Sequence, residues 1–100
     1  MKQQTIVMSL GDNVATALEN LKTNDSVEVR RGVELKTYTL RQDILFGHKF
    51  ATEAILKGAR VIKYGQVMGA ATQDIQEGAH AHVHNVESLR GRGDKRYTAE

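Results

Sequence analysis

The feature that most limits what this chain can fold into is a short recurring pattern: an apolar residue followed three positions later by glycine. Asp43-Ile44-Leu45-Phe46-Gly47-His48-Lys49-Phe50 carries it behind an acid. Ala54-Ile55-Leu56-Lys57-Gly58-Ala59-Arg60-Val61 repeats it without the acid, and Asp74-Ile75-Gln76-Glu77-Gly78-Ala79-His80-Ala81 repeats it with the acid restored. Glycine adopts positive φ at little cost, so each copy predicts a buried anchor, a tight turn and the start of a strand. The anchors lie 11 and 20 residues apart, which excludes a solenoid of fixed period. The pattern predicts a compact, turn-rich β domain whose short strands cross one another. The chain has no proline, so its nine glycines supply the punctuation.

Other elements are expected around this pattern. Ile6 to Leu10 predicts an opening strand, broken by Gly11-Asp12-Asn13. Asp12 or Asn13 is placed to cap a helix, because Val14, Ala17, Leu18 and Leu21 follow at the spacing of one buried helical stripe. After the polar turn from Lys22 to Ser26, Val27-Glu28-Val29 and Val33-x-Leu35-x-Thr37-x-Thr39 alternate on either side of Arg31-Gly32, which predicts a hairpin. Val61 to Ala71 is the most apolar stretch and predicts a central strand or strand pair, with Gly65 and Gly69 marking a bend and a close backbone approach. From Glu87 to Glu100 there are two glycines and seven charges, so residues 1–86 are expected to form the domain and 87–100 a flexible tail or linker. The expected class is mainly β with one or two short helices.

Composition narrows the functions. At 100 residues there is room for one domain, and with five aromatic residues and no tryptophan its core is built from Val, Ile, Leu and Ala. Absent cysteine excludes disulfides, thiolate metal sites and a thiol nucleophile. No apolar run approaches membrane length, and Met1-Lys2-Gln3-Gln4-Thr5-Ile6 has no apolar signal core, so no membrane is expected and the expected compartment is the cytoplasm. A net charge of +2 is too small to imply nucleic acid, and Arg90-Gly91-Arg92-Gly93-Asp94 has no interleaved aromatics, so no nucleic acid is expected. A minimal β domain leaves sheet edges to cover, which admits a homo-oligomer.

The histidines are the residues with chemistry to offer. His80, His82 and His84 alternate, so on a strand they share one face while Ala81 and Val83 take the other. Neutral imidazoles at that spacing can place two nitrogens on one first-row metal, or exchange protons near neutral pH. The competing reading is a solvated face, which His80 fits better than His82 and His84. His48-Lys49, after Gly47, presents an imidazole beside an ammonium on a turn, suited to a carboxylate or hydroxyacid, although taken alone a capping or surface histidine in a turn is the simpler reading. Lys63-Tyr64 predicts the polar edge of a strand.

Taken in order, Asp12-Asn13-Val14-Ala15, Gly47-His48-Lys49-Phe50-Ala51, Val61-Ile62-Lys63-Tyr64-Gly65 and His82-Val83-His84-Asn85 resemble the amino-terminal domain of the altronate dehydratase (altronate hydrolase) family, with its galactarate dehydratase and sulfolactate sulfo-lyase relatives. The resemblance runs from about Ile6 to Asn85. It implies an SAF domain with the β-clip fold, named for sialic acid synthase and type III antifreeze protein. It implies a carbon–oxygen lyase reaction, D-altronate to 2-dehydro-3-deoxy-D-gluconate, with a divalent metal, iron or manganese. By the same resemblance His48 and Lys49 are catalytic, Lys49, Lys63 and Asn85 meet the substrate, and His82 and His84 hold the metal. Family enzymes carry a larger catalytic part after this domain, or as a separate subunit in the sulfo-lyases. The expectation is therefore a small subunit or domain that is inactive alone and completes its site with a large catalytic chain. The alternative is a freestanding module that binds a sugar acid or a protein and catalyses nothing.

Overall fold

The computed structural model describes residues 4–7 and 9–88. The described chain is all β: Thr5–Ile6 (β1), Val14–Ala17 (β2), Ser26–Arg31 (β3), Glu34–Thr39 (β4), Lys49–Ala51 (β5), Arg60–Lys63 (β6), Gln66–Ala71 (β7), His80–Ala81 (β8) and Val86–Ser88 (β9). A central antiparallel sheet has the order β1-β2-β5-β8. The predicted hairpin forms β3–β4, and the apolar stretch 61–71 forms a second hairpin, β6–β7, which β9 extends to three strands.

Four turns organise these strands, one more than the glycine pattern marks. In residues 22–25, 45–48, 56–59 and 76–79 the fourth amide donates to the first carbonyl: Asp25 to Lys22 at 3.0 Å, His48 to Leu45 at 2.8 Å, Ala59 to Leu56 at 2.8 Å and Ala79 to Gln76 at 2.9 Å. The third residue has positive φ in each, 73° at Asn24, 85° at Gly47, 88° at Gly58 and 86° at Gly78. These are the marks of a type II turn, and asparagine is among the few non-glycine residues that accept the left-handed region. The extra copy, Leu21 to Asp25, hides behind that asparagine.

The copies work in pairs. Leu21 bridges Ile44, and Ile55 bridges Ile75, both antiparallel. Each turn hooks onto the segment leading into its partner: Asn24 N–H donates to Leu40 O at 2.8 Å, Gly47 to Ala17 at 2.9 Å, Gly58 to Ala71 at 2.8 Å and Gly78 to Ala51 at 2.8 Å. The polar residue before an anchor closes the partner's turn. Asp43 Oδ1 accepts from Thr23 N and Oγ1, each at 2.8 Å, and Asp74 Oδ1 accepts from Lys57 N at 2.8 Å. Asn20 Oδ1 accepts from Phe46 N at 2.8 Å in the same way. The acid of the repeat is therefore a brace between copies.

Two cores result, one on each face of the central sheet. Ala15, Ala17, Leu21, Val27, Val29, Tyr38, Leu40, Ile44 and Phe50 form the first, and Val14, Ala51, Ile55, Val61, Ala71, Ile75 and Ala81 the second. Tyr38 meets Phe50 edge to face, with ring centroids 6.1 Å apart.

Several expectations are corrected. No helix occurs among the described residues, and Val14–Ala17 is a strand. Val14 faces one core while Ala15 and Ala17 face the other, so the strand is apolar on both sides and its spacing imitates a helical stripe. Asp12 and Asn13 cap no helix. Asp12 accepts from Tyr64 N at 2.9 Å, Gly65 N at 2.8 Å and Ser9 N at 3.3 Å, while Asn13 donates to Arg60 O at 2.9 Å and accepts from Ile62 N at 2.8 Å. Together they staple the β6–β7 hairpin to the central sheet. The opening strand is Thr5–Ile6, and Leu10 is exposed in the turn that follows. Gly65 lies in the hairpin turn as expected, with φ 74°. At Gly69 a Cβ would overlap the Glu87 carbonyl oxygen, and that close approach lets β9 pair with β7. Glu87 and Ser88 are thus sheet residues inside the stretch assigned to a tail, whose remainder, 89–100, lies outside the described residues.

Candidate functional site

The β5–β8 pairing builds the site. Phe50 stands directly opposite His80, and Lys49 opposite Ala81. His48 precedes β5 by one residue and His82 follows β8 by one, so alternation sends His48, His80 and His82 towards the same side at the end of the sheet. His48 Nδ1 lies 3.0 Å from His80 Nε2. The His48 and His82 rings stack at 4.0 Å with 13° between their planes, and the His80 ring is 5.2 Å from His48 and 5.3 Å from His82. One nitrogen from each of the three rings falls within 4.8 Å of the others.

Polar residues around the cluster hold its backbone. Asn85 is buried, accepts from His82 N at 2.9 Å and donates to His80 O at 2.8 Å. His82 O accepts from Asn85 N at 3.0 Å and Val86 N at 2.8 Å, closing a turn with Val83 and His84 at its tip. Gln42 Oε1 accepts from His80 N at 2.7 Å. His84 is exposed, its ring 5.1 Å from that of His80 and tilted by 38°.

The electrostatics are one-signed. Burial, then His84, His48, His82 and Lys49, push the His80 imidazole down to about 4. Burial, followed by His48, Lys49 and His84, also lowers His82. Burial and then Lys63 lower Lys49. Among the described residues no carboxylate contributes to any of these three shifts. At neutral pH His80 and His82 are therefore uncharged imidazoles with lone pairs to offer, beside two lysines. Such a site favours an anion or a metal ion.

The donor set fits a first-row metal. Ligand nitrogens about 2.0–2.1 Å from one ion stand roughly 3.0–3.4 Å apart, and the His48–His80 pair already does. An ion must lie near the plane of each ring, so binding would turn the stacked rings about their soft terminal torsions. Three imidazole nitrogens suit iron, cobalt, nickel or zinc better than manganese, magnesium or calcium.

The sequence-predicted residues thus separate. His48 and His82 join the cluster, and His80, expected on a solvated face, is its third member. His84 stands at the rim, and half-buried Lys49 stands beside the cluster on β5. Lys63 caps the Tyr64 ring at 4.6 Å, in a cleft of about 380 Å³ with Gln66, Val67, Met68 and Ser88. Both side-chain polar groups of Asn85 bond the histidine segment. Gln42 was missed because nothing local to it announces a partner 38 residues away.

Comparison with known proteins follows the same lines. Residues 3–89 match the SAF domain of altronate/galactarate dehydratases. The chain is 49% identical over 77 residues to altronate dehydratase of Escherichia coli (strain K12) and 36% identical over 77 residues to that of Bacillus subtilis (strain 168). Each match covers 77% of this chain and 15% of the enzyme, so the chain spans a small part of those relatives. It is also 40% identical over 52 residues to the (2R)-sulfolactate sulfo-lyase subunit alpha of Paracoccus pantotrophus, covering 52% of this chain and 78% of that subunit. Fold, match and relatives agree: this chain belongs to the family of SAF domains of altronate and galactarate dehydratases.

Proposed function

We propose that this chain is the small subunit or amino-terminal domain of an altronate dehydratase-type lyase, and that it presents its histidine cluster to a site completed by a larger catalytic chain. The observation that carries the reading is the His48–His80–His82 cluster, flanked by Lys49 and, among the described residues, joined by no carboxylate. Dehydration of a sugar acid removes a weakly acidic proton beside a carboxylate and expels a hydroxide, so it needs positive charge at the first position and a proton at the second. Lys63 supplies charge for the carboxylate. Lys49 takes the proton as the neutral amine that burial favours, becoming an ammonium, and His84 at the exposed rim gives one to the departing hydroxyl, which leaves as water. His48, His80 and His82 would hold a divalent metal, which would supply Lewis acidity at the carboxylate, and three imidazoles rank iron above manganese.

A partner chain is supported by the relative named as a subunit alpha and by the surface next to the cluster. Leu45 and Phe46, on the turn that delivers His48, are 54% and 67% exposed. Large apolar side chains together on one turn suit burial by a second chain.

Reconstitution tests the reading. The chain alone should not dehydrate D-altronate, and with iron and a dehydratase-type large chain it should. His82→Ala should lower that activity at least 100-fold, and His84→Ala less. Full activity in His82→Ala, or no complex with such a large chain, would remove the lyase role; a chain that binds D-altronate without ever restoring activity is a binding module.

A further inference from the structure

A second cleft opens beside the cluster. It measures about 470 Å³, and Arg41, Gln42, Gln73, Asp74, Gln76 and His84 contribute to its lining. His84 joins it to the cluster through its contact with the His80 ring, and Gln42 joins it from the other side through the bond to His80 N.

The internal repeat singles out two of these residues. Counted from the residue that receives the partner's turn, the copies begin Ala17-Leu18-Glu19, Leu40-Arg41-Gln42, Ala51-Thr52-Glu53 and Ala71-Thr72-Gln73. The third position is glutamate in the two copies away from this cleft and glutamine in the two that line it. The scaffold therefore accepts a carboxylate at that position, yet the cleft carries uncharged amides there. Among the described residues Asp74 is the only acid in the lining, and its Oδ1 accepts from Lys57 N at 2.8 Å. Arg41 donates through Nε to Glu77 O at 3.1 Å, which fixes the guanidinium at the edge of the cleft.

We propose that this cleft is a subsite for the hydroxylated chain of an anionic polyol, with the amides of Gln42, Gln73 and Gln76 meeting hydroxyl groups and Arg41 meeting a remote anionic or hydroxyl end. The inference rests on the lyase reading for which end reacts, and places the reacting end towards His84 and the histidine cluster. Amides both donate and accept, as alcohols do, and a guanidinium suits a carboxylate. A carboxylate at position 42 or 73 would repel the same ligand, which explains why the repeat departs from glutamate there.

The test uses the full chain with D-altronate as probe, and sodium acetate and sorbitol as comparisons. In a nitrogen-15 NMR titration, D-altronate at millimolar concentration should shift the side-chain amide signals of Gln42 and Gln73, acetate should leave them in place, and sorbitol should move them less. Gln73→Glu should weaken binding at least tenfold with the fold retained, since the equivalent position already holds Glu53 in its own copy. The mirror change Glu53→Gln should leave binding unaltered. Shifts confined to the histidines, or wild-type affinity in Gln73→Glu, would overturn the subsite and leave the lyase reading standing. In the reconstituted pair Gln73→Glu should raise KM with kcat within a few-fold. An inactive pair would count against the lyase reading, and the titration would still decide the subsite.

Discussion

The two halves of this molecule use one device with different fillings. In the first half the Leu21 and Ile44 turns enclose a core with Phe50, Tyr38 and Leu40 in it. In the second, the Ile55 and Ile75 turns enclose one whose remaining members are valines and alanines. The hydrogen bonds that hook turn to partner are the same in both, within 2.8–2.9 Å. Turn geometry thus comes from local chemistry and the repeat, while bulk is free to differ. The turns also divide by destination. Those at Asn24 and Gly58 feed the outer strands β3 and β6, and those at Gly47 and Gly78 feed β5 and β8 of the central sheet. Histidines follow only the second pair, so chemistry is placed where the two halves meet.

The contrast in bulk can be broken most forcefully at Phe50. Phe50→Ala should destabilise the chain by about 3–5 kcal/mol in urea unfolding, whereas Ile75→Ala should fall towards the lower end of about 2–5 kcal/mol, because the small neighbours of Ile75 can close on the gap. Equal losses would mean that the two cores are not energetically distinct. Next in size is the contrast between two turns of like conformation. A Cβ at Gly78 would overlap the Thr39 carbonyl oxygen, whereas at Gly58 it meets nothing within 4 Å. Gly58→Ala should therefore cost only the strain of positive φ, about 1–2 kcal/mol, and Gly78→Ala clearly more by thermal denaturation.

The junction between the halves has its own signature in pH. In the metal-free chain the unfolded His80 takes up a proton near 6.5, while the folded one resists until about 4, owing to burial and to His84, His48, His82 and Lys49 around it. Across that window the unfolded state binds more protons, so stability should fall as pH drops from 6.5 towards 4 and this contribution should level off below. A His80→Gln variant should flatten the slope, and an unchanged slope would show that His80 is not held neutral by the fold. The smallest expected effect sharpens the likeness among turns: Asn24→Gly, which gives the first copy the glycine of the other three, should leave the melting temperature within a few degrees or raise it. A large loss would mean that the Asn24 turn differs in kind.

Much of this was legible along the chain. The three glycine turns, the β3–β4 hairpin and the bend at Gly65 depend on residues near one another in sequence, and they stand where expected; Gly69 marks a close approach as well, although the neighbour it meets, Glu87, belongs to another strand. So do the motifs that carried the family resemblance. The helix over Val14 to Leu21 failed because periodicity registers which residues are apolar, not whether one core or two receives them. The first turn escaped notice because asparagine replaced glycine.

The sequence by itself determined where the chain turns and which side chains with chemistry follow each turn, since type II geometry depends on four consecutive residues. Only the tertiary structure decided which histidines meet. His48 and His80 are 32 residues apart, and their contact requires β5 and β8 to pair in a register that sets Phe50 opposite His80. A shift of one residue would send His80 to the other face, and that register is fixed by the hooks from Gly78 to Ala51 and from Ala51 back to Ala79. Those bonds join separate copies of the repeat, and no single copy contains the information that aligns it with another.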